Sequence, residues 1–169
     1  MSDTELWQAW RDGGDAAAFS ALVDRYLDMV YATARRILGN THDAEEIAQE
    51  CFITLLQGQV KVKHPLGPWL HRVARNRALD RIKGETRRRE REQQWQEVTV
   101  EDSATTIDDV LTHVDAAIDA LPPDVRNAIV GRFLEGKTNV ALGDAAGVGE
   151  STIRARVNRG VELIRETLK

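Results

Sequence analysis

Residues 138–165 read TNVALGDAAGVGESTIRARVNRGVELIR, and the spacing within them decides the fold. Thr138 is placed to cap a short helix whose inner face holds Leu142 and Ala145–Ala146. Gly147 permits a left-handed residue at the corner, Val148 plugs that corner, and Ile153 and Val157 pin a second helix against the first. The pattern is a helix-turn-helix, and a helix held in this way can enter the major groove and offer its first turns to base edges. The side chains it would offer are Glu150, Ser151, Thr152, Arg154 and Ala155, with Arg156, Asn158 and Arg159 nearby. Arginine serves phosphate and guanine alike, whereas Glu150 suits a cytosine amino group. A helical hairpin with an arginine-rich solvated face is the alternative this pattern leaves open.

Upstream, apolar residues recur at helical spacing and no segment alternates as a strand. The spacing predicts a short helix around Thr4–Arg11 that ends at Gly13-Gly14, then a long helix capped by Asp15 and stopped by Gly39-Asn40. A third helix opens at Thr41 or Asp43, with Ala44, Ile47, Cys51 and Leu55 on one face. The stretch QGQVKVKHPLGP reads as a loop, and Pro68 suits a first helical position, so a fourth helix is expected from Trp69 to about Lys83. Residues 92–106 are polar, acidic and unpatterned, as a flexible linker is. Helical order returns at Ile107, with Val110, Leu111, Val114 and Ile118 on one face, and Pro122-Pro123 separates that helix from the next. The fold class is therefore all-α. Two small helical domains, residues 1–91 and 107–169, are joined by the acidic linker 92–106, and the second contains the helix-turn-helix.

The net charge of −4 hides strong segregation. Residues 61–91 carry 11 basic and 3 acidic side chains, whereas residues 92–119 carry 8 acidic and no basic ones. Such alternation suits separate surfaces for separate partners, with polyanion contact at the basic block. Within that block, WLHRVARNRALDRIKGETRRRER (residues 69–91) holds eight arginines and one lysine. Wound as a helix, Leu70, Val73, Ala74, Ala78 and Ile82 form a core stripe, while Trp69 and Asn76 fall within about 20° of each other, beside Arg72 and Lys83. An indole, an amide and cations on one face suit an unstacked base: the ring stacks, the amide bonds a base edge and the cations hold phosphates. Lys61, Lys63 and His64 in the preceding loop could close over such a base. The alternative reading packs Trp69 against an earlier helix and leaves Arg87, Arg88 and Arg89 solvated.

Three motifs, HDAEEIAQECFITLL, WLHRVARNRALDRIK and LPPDVRNAIVGRFLEGKTNVALGDAAGVGESTIRARVNRGVELIR, in this order on either side of a linker, resemble the extracytoplasmic-function (ECF) family of bacterial RNA polymerase sigma factors. The resemblance implies that Asp43, Glu45, Glu46, Gln49 and Glu50 dock core RNA polymerase. It further implies that Lys61, Lys63, His64, Trp69, Arg72, Asn76 and Lys83 read and melt the promoter −10 element, with Arg87, Arg88 and Arg89 tracking the backbone. Glu150, Ser151, Thr152, Arg154, Arg156, Asn158 and Arg159 would read the −35 element as duplex. Core polymerase and promoter DNA, duplex and melted, are the implied partners, and an anti-sigma factor is a candidate third. Ala141, Leu142 and Gly143 stand where the family has an acidic residue followed by Ile-Ala, which bears on −35 binding.

Other classes fit less well. There is no Gly-rich phosphate loop, nucleophile–base pair or metal spacing among His42, His64, His71 and His113, so neither an enzyme nor a cofactor is expected. Asp43, Glu46 and Glu50 share a helical face, but no histidine or further carboxylate supports them as metal ligands. A stand-alone helix-turn-helix regulator using residues 120–169 is the runner-up, and it leaves Trp69 and the acidic ridge unexplained. No run of apolar residues reaches membrane-spanning length, the start lacks a signal-peptide pattern, and the single Cys51 rules out an internal disulfide. A cytoplasmic chain with no membrane insertion is expected.

Overall fold

The computed structural model describes residues 1–58, 65–93 and 107–169. Among them every regular element is helical. Local chemistry sets most helix ends. Ser2 and Glu5 form a reciprocal capping box at the start of α1 (Asp3–Gly13), satisfying two otherwise orphaned amides. The Asp15 carboxylate accepts from the amides of Ala17 and Ala18 to open α2 (Ala16–Leu38), and Gly39 closes it in the left-handed conformation at φ 75°. Asn40 caps α3 (Thr41–Leu56) by accepting from the Asp43 amide at 2.8 Å.

α2 is the spine. Its buried side chains, among them Leu22, Tyr26, Val30 and Ala34, meet Ile47, Cys51 and Leu55 of α3 and Leu66, Leu70 and Ala74 of α4. Full burial of an aliphatic side chain contributes about 1.5–3 kcal/mol, so this shared face outweighs any surface pair around it.

α4 (Leu66–Gln93) departs from expectation at both ends. It opens at Leu66, ahead of Trp69, with Gly67 and Pro68 buried in its first turn, where the missing proline N–H costs nothing. It continues ten residues past Lys83, through an arginine-rich run of good helix formers that includes an Arg88–Glu92 pair four residues apart. Ala78 is the last buried residue on α4, and Ile82, expected in the core, is 36% exposed one turn beyond it. The expected linker residues from position 94 to 106 lie outside the described part of the chain.

α5 (Ile107–Ala120) precedes α6 (Pro123–Ile129), whose last turn loosens into a π-helical segment, Val130–Leu134. The helix-turn-helix follows as α7 (Asn139–Ala146) and α8 (Glu150–Thr167). α8 crosses α6 closely at Gly160, where an added Cβ would lie 2.4 Å from Ile129 Cγ1 and 3.0 Å from Val125 Cγ1. The two helical groups share one buried cluster: Ile118, Leu121, Ile129 and Val130 join the side chains of α1 to α4.

Gly160→Val overpacks the α6–α8 crossing and should lower stability by about 1–3 kcal/mol. A reduced urea midpoint with an unchanged slope is the expected result; an unchanged midpoint would contradict the close crossing.

Candidate polymerase and nucleic-acid interface

Arg77 and Arg81 project from α4 onto the acidic face of α3. Arg77 donates to Glu50 at 3.0 Å and to the Thr54 hydroxyl at 2.6 Å. The Arg81 guanidinium reaches Asp43 at 3.2 Å, Glu46 at 2.9 Å and Glu50 at 3.3 Å. Its bond to Glu46 and the neighbouring carboxylates hold its pKa above the ordinary arginine value. A cation therefore sits where the three carboxylates converge, which leaves them poorly arranged for a metal ion. Exposed pairs contribute little singly, but here one guanidinium ties three carboxylates to a neighbouring helix. The acidic ridge is thus divided. Asp43, Glu46 and Glu50 are paired within the chain, while Glu45 and Gln49 lie exposed.

The other flank of α4 carries the expected base-capture face. Asn76 and Lys83 are exposed, and Trp69 is half-buried and packed against the core, so part of the indole is structural. Arg72, also exposed, donates from Nε to Asp119 of α5 at 2.7 Å, and Arg75 approaches the same carboxylate at 3.4 Å. Arg87, Arg88 and Arg89 are exposed along the last turns of α4. Lys61, Lys63 and His64 lie outside the described residues. Of the eight arginines in this stretch, Arg72, Arg75, Arg77 and Arg81 make ion pairs with α3 or α5.

Sequence reasoning missed a buried cluster beneath this face. His71, considered from the sequence only for metal spacing, is fully buried and faces Asp115, which also receives Arg36. The available signal was Asp115 itself, a carboxylate within the apolar stripe of α5 between Leu111 and Ile118. A charge at such a position requires a partner.

The helix-turn-helix forms where its spacing predicts, except that Ala145 and Ala146, expected on the inner face of α7, are exposed, and Gly143 is the buried residue of that helix. Thr138 accepts from the Ala141 amide at 3.1 Å, and Gly147 adopts φ 68°. Gly143, costly inside a helix, has a steric reason here: a Cβ would lie 2.7 Å from the Val148 carbonyl oxygen. The turn backbone comes that close, and the Val148 amide donates to the Gly143 carbonyl at 3.0 Å. Glu150, Ser151, Thr152, Arg154, Asn158 and Arg159 are exposed on α8, with Arg154 donating to Glu150 at 2.8 Å. Arg156 departs from this row. It is half-buried, 3.4 Å from Asp124, and lines a cleft of about 720 Å³ together with Arg25, Asn127 and Ile153.

Residues 22–88 match the family described as Sigma-70 region 2, and residues 117–166 match Sigma-70, region 4. The first match runs from within α2 to most of α4 and the second includes the helix-turn-helix, which defines a two-region sigma protein. The chain is 33% identical over 176 residues to the ECF RNA polymerase sigma factor SigE of Mycolicibacterium smegmatis, covering 98% of this chain and 67% of that protein. It is 28% identical to the ECF RNA polymerase sigma factor SigW of Bacillus subtilis, covering 92% and 91%. A solved structure of the sigma factor RpoE in complex with the anti-sigma factor NepR, from Bartonella quintana, matches with a TM-score of 0.39 and 24% identity over 89% of this chain and 96% of that one. The chain belongs to the extracytoplasmic-function family of RNA polymerase sigma factors.

Arg81→Ala should lower stability by about 1 kcal/mol by releasing three carboxylates at once, whereas Glu45→Ala should shift it by less than ~0.5 kcal/mol. Urea unfolding of both variants measures the contrast. Equal effects would mean that Arg81 is not the tie between α3 and α4.

Proposed function

We propose that this sigma factor docks core RNA polymerase through the α3 ridge, reads a −10 element on the outer flank of α4 and reads a −35 element with the start of α8. As an ECF sigma factor the chain directs RNA polymerase to specific promoters and promotes their melting. Polymerase contact is assigned to Asp43, Glu45, Glu46, Gln49 and Glu50, with Glu45 and Gln49 the most available. Capture of the melted strand is assigned to Trp69, Arg72, Asn76 and Lys83, with Lys61, Lys63 and His64 completing the pocket and Arg87, Arg88 and Arg89 on the backbone. Duplex readout is assigned to Glu150, Ser151, Thr152, Arg154, Asn158 and Arg159, and Arg156 serves it once freed from Asp124. Domain limits of 1–91 and 107–169, with the linker between them, belong to the same proposal. So do a cytoplasmic location and the absence of bond-making chemistry. The observation that carries it is that one chain holds both sigma regions in order, with an exposed amide, exposed cations and a half-buried indole on α4.

The test mixes the purified chain with core polymerase and a library of random promoters, following binding and transcription together. Selection of a shared two-part motif is expected. Retention of duplex DNA without polymerase binding would instead favour a stand-alone regulator built on residues 120–169. In the same assay Asn76→Ala should impair promoter opening and leave polymerase affinity unchanged. Loss of polymerase affinity would show that this residue supports the fold rather than the melted strand.

A further inference from the structure

A cleft of about 720 Å³ is lined by α6, α7 and α8 together with residues of α1 and α2. Its volume lies within the range of small-molecule sites, roughly 300–1,000 Å³. The apolar part of its surface comes from Ala128, Ala141, Leu142, Ala145 and Ile153. Leu142 packs tightly on Gly131, where an added Cβ would lie 2.4 Å from Leu142 Cδ2. Ala141 and Ala145, one turn apart on α7, stay exposed in the folded chain. α7 therefore gives the cleft apolar surface that the described residues leave uncovered.

The charged residues of the cleft are unevenly satisfied. Arg25 donates to Asp3 and to the Met1 carbonyl, and Lys137 stands 2.5 Å from Glu135 and 3.6 Å from Asp3. Arg156 is the exception. Its side chain is only 26% exposed, yet its one ion pair is a 3.4 Å approach to Asp124, a carboxylate that is itself 72% exposed. It makes no hydrogen bond to any described residue. A guanidinium carries five donors and keeps its charge, and a largely buried cation without a close partner is costly. Glu135 lines the same cleft with a side chain 6% exposed, and its Oε2 makes no directional hydrogen bond although Lys137 is near. Burial pushes the Glu135 carboxyl above its ordinary value.

We propose that this cleft binds a small amphipathic carboxylate, its charged head on the Arg156 guanidinium and its aliphatic body over Ala141, Leu142, Ala145 and Ile153. A guanidinium fork suits a carboxylate, since two parallel N–H donors meet its two oxygens. A polyanion suits the cleft poorly. Arg25, Lys137 and Arg156 are matched there by Asp3, Asp124 and Glu135, so the lining offers no net positive charge. The site stands on geometry alone. Its consequence rests on the proposed function: a ligand on Arg156 withholds that side chain from the −35 duplex, so occupancy opposes transcription.

The test titrates the full chain with decanoate and with decanol, which has the same body without the charge, by isothermal calorimetry. Decanoate should bind at one saturable site, and decanol at least about tenfold more weakly. Arg156→Gln should weaken decanoate binding at least about tenfold, as should Ala145→Phe, which fills the apolar surface. Arg165→Gln removes the same charge from an exposed position on α8 outside the cleft and should bind as wild type does. Absence of decanoate binding, equal affinity for decanol, or equal losses in Arg156→Gln and Arg165→Gln would each overturn the site. Should a cleft variant lose its helical circular dichroism, the comparison of decanoate with decanol in wild type decides. Saturating decanoate should also lower transcription by the wild-type holoenzyme at least about threefold and leave the Ala145→Phe holoenzyme unaffected. Equal responses of the two would overturn the regulatory consequence. If the wild-type holoenzyme is inactive without decanoate, the proposed function fails, while calorimetry still judges the site.

Discussion

Helix α4 is held between two acidic helices, and its arginines decide where both of them sit. Toward α3, Arg77 and Arg81 gather Glu50, Glu46 and Asp43; toward α5, Arg72 and Arg75 take Asp119. Beneath the second set, Asp115 is locked by His71 of α4 and by a two-point bond from Arg36 of α2. The apolar face of α2 supplies most of the cohesion, but apolar packing is non-directional. Paired charges at stated distances fix the orientation that burial alone would leave open. Sign and direction agree here. The Asp115 carboxyl sits below its ordinary value when folded, so its contribution is complete above the unfolded value of 3.8 and is lost as pH falls through the folded one.

Helix ends were legible because they depend on one or two neighbouring residues. Asp15, Gly39, Thr138 and Gly147 act in the structure as their residue types require. The helix-turn-helix was legible for the same reason, since Leu142, Val148 and Ile153 lie within one short motif. What escaped is long-range. Arg36 and Asp115 are 79 residues apart, and Arg81 and Glu46 are 35 apart, so no spacing rule connects them. The basic block read as a single nucleic-acid surface because its charge was visible and its partners were not. The reason for Gly143 is equally non-obvious from spacing, because the Val148 carbonyl occupies the space its Cβ would take. Trp69 is half-buried and packed against the core, as one of its two alternatives had it, while Asn76 on the same helix is exposed.

The functional consequence is a division along one helix. The first four arginines of α4 are engaged within the fold, and Arg87, Arg88 and Arg89 extend beyond the last buried residue into solvent. A rigid helix that leaves the core carrying cations suits a partner with a phosphate backbone, because the charges hold a fixed spacing without a loop to order. Glu45 and Gln49 are exposed on α3 and are not among the groups that Arg81 engages. Under the proposed assignment, polymerase contact and strand contact would use different sides of the unit formed by α2, α3 and α4.

The division of α4 is tested most directly by replacing Arg87, Arg88 and Arg89 together with alanine and following permanganate reactivity of unpaired thymines at a promoter selected by the assembled holoenzyme. The expected result is unchanged stability and polymerase binding with a large loss of reactive bases in the promoter. Full reactivity, or a collapse of the fold, would place the working cations elsewhere and contradict the account.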